Sequence, residues 1–274
     1  MGNVQKRDVA VITGASMGLG EEFARQLARR RLDLVLVARS GDRLEKLTRV
    51  LAARHGIRAW AMACDLTAPG AAGRVAEFLE ARALRPAWLV NNAGFGTAGP
   101  FATMDPATVS SMITLNVTAL VELTRALVPM MAGARDRRVI NVASTAAFQP
   151  IPLFNVYAAT KVFVLHFSEA LFEELKEEGI RVTVVCPGPV PTKFAENNGL
   201  DPRLFNRGQS AREVVRIGLA ASDKGRALCV TQRGWLIVLQ RLMPRALVRW
   251  GAGRVARFLM GRYQFTNPRA AGRG

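Results

Sequence analysis

Ser144, Tyr157 and Lys161 are the residues of this chain whose types and spacing suit chemistry. Tyr157 is one of two tyrosines; it lies thirteen residues after Ser144, and Lys161 follows it by four. If Tyr157 opens a helix, the i, i+4 spacing puts its hydroxyl and the Lys161 ammonium on one face. A phenol with a reference pKa of about 10 is a poor acid or base at neutral pH. An ammonium fixed beside it favours the phenolate and brings the group toward working pH. Ser144 follows the apolar run 139–143, which reads as a buried strand, and its hydroxyl could hydrogen-bond a carbonyl or an alcohol. Tyr-x-x-x-Lys alone is also the spacing of a solvated surface pair, so the surrounding elements must decide.

Half of the 274 residues are hydrophobic, enough for a substantial core. Cys64, Cys186 and Cys229 fall singly in apolar runs, without metal-ligand or disulfide spacing. Buried thiols in a reducing, cytoplasmic setting are expected. His55 and His166 stand apart from any Cys/Asp/Glu cluster, so no metal site is expected. Residues 1–8 hold charges but no apolar stretch, which argues against a secretory leader. The absence of an unbroken apolar run of about eighteen residues argues against a spanning helix.

In chain order, a strand over 8–13 runs into Gly14-Ala15-Ser16-Met17-Gly18-Leu19-Gly20 and then a helix over 21–30. Glycine lets a backbone approach a ligand closely, and the helix start offers unpaired N–H groups and a positive dipole end. That order suits a dinucleotide pyrophosphate, although the spacing is G-x-x-x-G-x-G rather than G-x-G-x-x-G. The second strand, 32–38, ends at Arg39, with Arg43 one turn on. An acid there would hold a ribose 2′-hydroxyl, whereas an arginine accommodates a 2′-phosphate. NADP is therefore favoured over NAD, the alternative being two ordinary surface arginines.

A helix over 42–54 and a strand over 58–63 lead to Cys64-Asp65-Leu66, where Asp65 meets an adenine edge or caps the helix near Ala71. A strand over 87–90 ends in Asn91-Asn92-Ala93-Gly94, small and amide residues suited to a cofactor crevice. A helix is expected over 107–131 with Asn116 near its middle. Asparagine is a poor interior helix residue, so either a packed amide or a kink holding a water is expected. After the Tyr157 helix come a strand over 181–186, the rigid Pro187-Gly188-Pro189-Val190-Pro191-Thr192, and a polar lid over 193–209. Thr192 is placed to bond a carboxamide or a phosphate. A helix over 211–222 and a strand over 227–231 complete the alternation. The fold class expected is α/β: a Rossmann-type, doubly wound parallel sheet of about seven strands over 1–231, with a C-terminal helical extension over 232–274.

These motifs, Thr13-Gly14-x-x-x-Gly18-x-Gly20, Asn91-Asn92-Ala93-Gly94, Asn116, Ser144, Tyr157-x-x-x-Lys161 and Pro187-Gly188-x-x-x-Thr192, resemble in order and spacing those of the short-chain dehydrogenase/reductases. The resemblance implies a catalytic tetrad of Asn116, Ser144, Tyr157 and Lys161. Tyr157 would be the proton donor in reduction, Ser144 would polarise the carbonyl, Lys161 would lower the Tyr157 pKa and bind the nicotinamide ribose, and Asn116 would hold a relay water. It also implies NADP contacts from Gly14, Ser16, Gly18, Leu19 and Gly20, from Arg39, Arg43, Asp65 and Leu66, and from Asn91, Ala93 and Gly94. Tyr157, Lys161, Pro187, Gly188, Val190 and Thr192 would close the lining. The family's frequent second serine is replaced here by Ala143. A homo-oligomer is expected.

The net charge is +17, and from Thr231 to the end there are nine arginines and no acid. Trp235, Trp250, Phe258 and several leucines lie among them. Basic amphipathic helices with tryptophan suit an anionic membrane interface, here the inner face of a membrane; the alternative is a cap on the domain or on a second subunit. Nucleic acid is not expected, because no binding module is present. The tail after the Cys-Pro-Gly-Pro loop resembles that of the 3-ketoacyl reductase and hydroxysteroid dehydrogenase branch. An apolar ketone, fatty-acyl or steroid-like, is the substrate so implied, reduced with NADPH. A non-catalytic dinucleotide-binding or membrane-adaptor protein is the alternative.

Overall fold

Aliphatic runs bounded by glycine, proline or charge form seven strands: β1 (Arg7–Thr13), β2 (Asp33–Ala38), β3 (Ala59–Ala63), β4 (Leu84–Asn91), β5 (Arg137–Val142), β6 (Ile180–Cys186) and β7 (Leu228–Val230). The structure is a computed structural model and describes residues 6–192, 208–232, 243–244, 246–251 and 254. Every neighbouring pair is parallel, in the order β3-β2-β1-β4-β5-β6-β7. The helices of the crossovers are α1 (Gly18–Arg29), α2 (Gly41–His55), α3 (Ala71–Glu80), α4 (Pro106–Ile113), α5 (Ala119–Leu127), α6 (Asn155–Lys176) and α7 (Ala211–Asp223).

The two-residue period of the strands decides which helices cover which face. Ala10, Ile12, Leu34, Leu36 and Val90 point to one side, against Phe23 and Leu27 of α1, Leu44 of α2 and Leu219 of α7. Val9, Val11, Val35, Val37 and Leu89 point to the other, against Val75 and Leu79 of α3, Leu123 and Leu127 of α5 and Leu175 of α6. Burying each such side chain contributes about 1.5–3 kcal/mol. The strand order reverses between β1 and β4, which opens a crevice at their carboxyl ends.

Three expectations about elements need correction. β4 begins at Leu84, three residues before the expected start, and the β1–β4 register shifts between Val9 and Ala10. Pro86 lies in that stretch, where its missing N–H suits a bulge rather than a regular ladder. The single helix expected over 107–131 is α4, a π turn at Thr114–Thr118, then α5 and a 3₁₀ turn. Pro106–Met131 has the length and mean hydropathy, 1.3, of a spanning segment, yet Leu120, Leu123, Leu127 and Met131 are buried in the protein's own core. Asp65 does not cap α3, whose N-cap is Gly70 with φ 72°.

At the amino-terminal edge of the sheet, Arg138 pairs with Asp136 and Asp223, Arg30 with Asp223, and Arg181 with Asp136. Burial would raise the Asp223 carboxyl, but hydrogen bonds from Arg30 and Arg138 outweigh it and hold it below the ordinary range. All three cysteines are free and buried. Apart from 208 and 209, the lid expected over 193–209 lies outside the described residues; so do Trp235 and Phe258. Residues 246–251 are helical, with Leu247 and Trp250 exposed.

Candidate active site

The first turn is built for close approach. Gly14 has φ 64°, and a β-carbon on it would stand 2.9 Å from Ala93 Cα. One on Gly20 would stand 2.2 Å from the Gly14 carbonyl oxygen and 2.6 Å from Asn92 Nδ2. Thr13 and Asn92, which sequence reading placed in motifs without giving either a task, hold this turn to β4. Thr13 Oγ1 accepts from the backbone N–H groups of Asn92 and Ala93, both at 3.0 Å. The Asn92 amide donates to the carbonyls of Thr13 at 3.0 Å and Gly14 at 3.3 Å. The Met17 side chain does not cap α1, whose amino-terminal end follows the turn directly. A glycine cradle beside an uncapped helix start fits a dinucleotide pyrophosphate.

Around this turn the expected contacts divide. Arg39 and Arg43 are exposed at the end of β2 and the start of α2. Asp65 Oδ1 accepts from Thr67 N at 2.9 Å and Oγ1 at 2.7 Å. These bonds hold its carboxyl below the ordinary range, against burial, and the Arg39 charge helps. Leu66 is buried in the core behind β3. Asn91 turns inward, donating to Thr124 Oγ1 at 3.0 Å and Asn141 Oδ1 at 2.9 Å. Val190 and Pro187 are buried, and Thr192 lies where a β-carbon on Gly18 would meet it at 3.6 Å.

The four tetrad positions converge from three elements. β5 delivers Ser144, whose Oγ accepts from Ala146 N at 3.1 Å and so caps a 3₁₀ turn. Tyr157, in the first turn of α6, is hydrogen-bonded through its hydroxyl to Ser144. Lys161 lies one turn on, its Nζ donating to the Val142 carbonyl at 2.9 Å and standing 5.6 Å from the Tyr157 ring centroid. Asn116 sits in the π turn, where its amide accepts from Phe95 N at 3.0 Å and donates to Phe95 O at 2.8 Å and Thr160 Oγ1 at 3.1 Å. The amide is packed, and it sits in a π turn that interrupts the helix. Both N–H bonds are spent inside the protein, so a water on this side chain has only Oδ1 capacity to use. Gly94 keeps the junction open, since a β-carbon there would lie 2.9 Å from Asn116 Oδ1 and 3.4 Å from Lys161 Nζ.

The electrostatics depart from expectation. Tyr157 is pushed up to about 12, burial outweighing the Ser144 hydrogen bond that lowers it. Lys161 is pushed down to about 8, also by burial, and among the described residues no carboxylate acts on it. Burial, the Ser144 hydrogen bond and the Cys186 charge are the influences on Tyr157, and the Lys161 N–H goes to the Val142 carbonyl. Cys186, which receives the Ser144 N–H, is pushed up to about 12 by burial and is no thiolate at neutral pH.

A parallel sheet with its crevice at the β1/β4 switch, a glycine cradle and a serine–tyrosine–lysine cluster together define a dinucleotide-dependent oxidoreductase site. The short chain dehydrogenase profile matches residues 8–202, and the chain belongs to that family. It is 32% identical over 191 residues to the Very-long-chain 3-oxoacyl-CoA reductase of Bos taurus, a match covering 68% of this chain and 61% of that protein. It is 29% identical over 260 residues to the 17-beta-hydroxysteroid dehydrogenase type 3 of Mus musculus, covering 93% and 81%. Its fold superposes with TM-score 0.78 on a short-chain dehydrogenase from Sphingobium yanoikuyae in complex with NADPH, 31% identical and covering 95% of this chain and 97% of that one. The family expected from the motifs is met, and the relatives bear the names of the branch expected from the tail.

Proposed function

We propose that the protein reduces an apolar ketone, fatty-acyl or steroid-like, to an alcohol with NADPH. The observation that carries this is the hydrogen-bonded pair of Ser144 and Tyr157 hydroxyls with Lys161 one helical turn away. Bound NADPH would supply the hydride. As negative charge grows on the carbonyl oxygen, the two hydroxyls donate to it and Tyr157 gives up its proton. Held at about 12, Tyr157 stays protonated throughout the neutral range and is in the form a donor needs. Lys161 stands one helical turn from Tyr157 with its Nζ 5.6 Å from the ring centroid, and Asn116 locks the turn beside it. Met112, Phe154, Ile151, Val156 and Phe95 form an apolar wall on the Tyr157 side, which supports an apolar substrate. NADPH oxidation measured against fatty-acyl, steroid and small cyclic ketones tests this. Oxidation with none of them, by protein that binds NADPH, would return the reading to a non-catalytic dinucleotide-binding module.

NADP rather than NAD rests on Arg39 and Arg43. A charge-assisted bond from Arg39 to a 2′-phosphate is worth about 1.5–3 kcal/mol, roughly tenfold to a hundredfold. Arg39→Asp should therefore reverse the preference from NADPH to NADH in kcat/KM. Equal affinity of the wild type for NADH and NADPH would remove Arg39 from this role.

The basic extension, 232–274, we take to attach a cytoplasmic enzyme peripherally to anionic membrane. Leu247 and Trp250 are 55% and 63% exposed, and the Arg254 guanidinium lies 5.1 Å over the Trp250 ring. Each basic residue at an anionic surface contributes about 1 kcal/mol, screened over about 8 Å at physiological salt. Full-length protein should sediment with anionic vesicles at low salt and less at high salt, and a chain ending at Arg233 should stay in solution and active on small ketones. Indifference of the full-length protein to vesicles, or unfolding of the shortened chain, would make the extension a structural cap, on this domain or on the second subunit of a homo-oligomer.

A further inference from the structure

The segment after β4 crosses the Tyr157 ring between two anchors. Asn116 holds one end by its paired bonds to the Phe95 backbone. At the other, Gly99 N–H donates to the Leu153 carbonyl at 2.8 Å. Between them, a β-carbon on Gly96 would stand 2.5 Å from Tyr157 Cδ2, 2.9 Å from Cγ and 3.0 Å from Phe154 Cζ. Gly96 is not among the glycines with positive φ, so the position needs glycine for room and not for backbone freedom. Phe154 stacks on Tyr157 with ring centroids 4.4 Å apart and planes at 29°. It follows Leu153, whose φ of 66° costs a non-glycine residue about 1–2 kcal/mol. Strain of this kind persists where the surroundings hold it, and it gathers at functional sites.

We propose that Gly96 is a positioning residue for proton donation: with Phe154 it clamps the Tyr157 ring in the plane that keeps the hydroxyl on Ser144. The proposal rests on the reductase reading, in which Tyr157 is the donor. A ring 4.4 Å from Phe154 with a bare backbone at its edge has no slack in that direction. A side chain at 96 would meet both rings, so the Tyr157 ring must shift or turn, and its hydroxyl then loses its set distance to Ser144. A shift of about 1 Å in a reacting group costs on the order of 10²-fold.

The test uses full-length protein carrying Tyr263→Phe, which leaves Tyr157 as its sole tyrosine. Gly96→Ala should lower kcat by on the order of 10²-fold, leave NADPH affinity within about twofold, and move the tyrosinate absorbance midpoint from about 12 down toward 10. Adding Phe154→Leu gives the displaced ring somewhere to go. The double variant should recover melting temperature and not kcat. Recovery of both would show that the clash was packing alone and overturn the proposal, as would Gly96→Ala with unchanged kcat and an unmoved midpoint. If Gly96→Ala does not fold, Phe154→Leu alone decides: lowered kcat with an earlier tyrosinate midpoint supports the clamp, and no change in either overturns it. If the wild type reduces no ketone, the reductase reading has failed, and the tyrosinate midpoint still reports whether Gly96 holds the ring.

Discussion

Tyr157→Phe is expected to lower kcat by about 10²–10⁴-fold, the usual worth of general acid catalysis, and to leave NADPH affinity within about twofold. The phenylalanine ring fills the same volume against Phe154 and Gly96, so the fold around it should not change. What goes is the hydroxyl that bonds Ser144 and would donate to the substrate. Because a phenol held at about 12 is neutral at working pH, its removal alters no charge, and the melting temperature should stay within a few degrees. Steady-state turnover and NADPH titration check both halves. Turnover within about tenfold of the wild type would take the proton-donor role away from Tyr157.

Lys161→Met is expected to stabilise the protein while abolishing turnover. The ammonium is buried and, among the described residues, has the Val142 carbonyl as acceptor and no carboxylate acting on it. Bringing it from an ordinary 10.5 down to about 8 means that holding it charged at neutral pH costs about 3 kcal/mol. A lysine whose folded pKa lies below its unfolded one binds fewer protons folded than unfolded between about pH 8 and 10.5. Wild-type stability should thus rise with pH across that window, and this slope should vanish in the variant. Methionine fills the stem's volume, so at pH 7 the melting temperature without nucleotide should rise by about 6–12 °C, at roughly 2–4 °C per kcal/mol. A variant that melts lower than the wild type would mean that the ammonium is better solvated than its burial indicates.

Much of this arrangement was legible in the residue order, for identifiable reasons. β6 and α7 lie within one residue of expectation, because aliphatic runs broken by glycine, proline or charge carry their own boundaries. Tyr157 and Lys161 were legible because helical spacing alone aligns them. The π turn was not, since it differs from an α-helix only in hydrogen-bond register. Its resident Asn116 is held by Phe95 and Thr160, 21 and 44 residues away. The upward shift of Tyr157 was equally out of reach: Lys161 four residues on pointed the other way, and the burial that wins comes from residues distant in sequence such as Met112 and Phe95. Asp65 suited an adenine edge or a cap, and its type could not choose; its carboxylate closes a turn onto Thr67 two residues on, which removes the cap.

The π turn at Thr114–Thr118 also constrains how this chain can change by insertion and deletion. A π turn bonds i to i+5 and holds one residue more than an α turn, so the loss of a single codon there would erase it. The helix left behind would be regular, and locally no worse. Residues before and after it would keep their facing, because a π turn spans with five residues what an α turn spans with four: Leu123 and Leu127 would stay on the sheet and Met112 in the wall beside Tyr157. The loss would fall on the seat of Asn116 and its bonds to Phe95 and Thr160. At this one turn the chain can lose a residue and keep its core, and the cost is borne by the site.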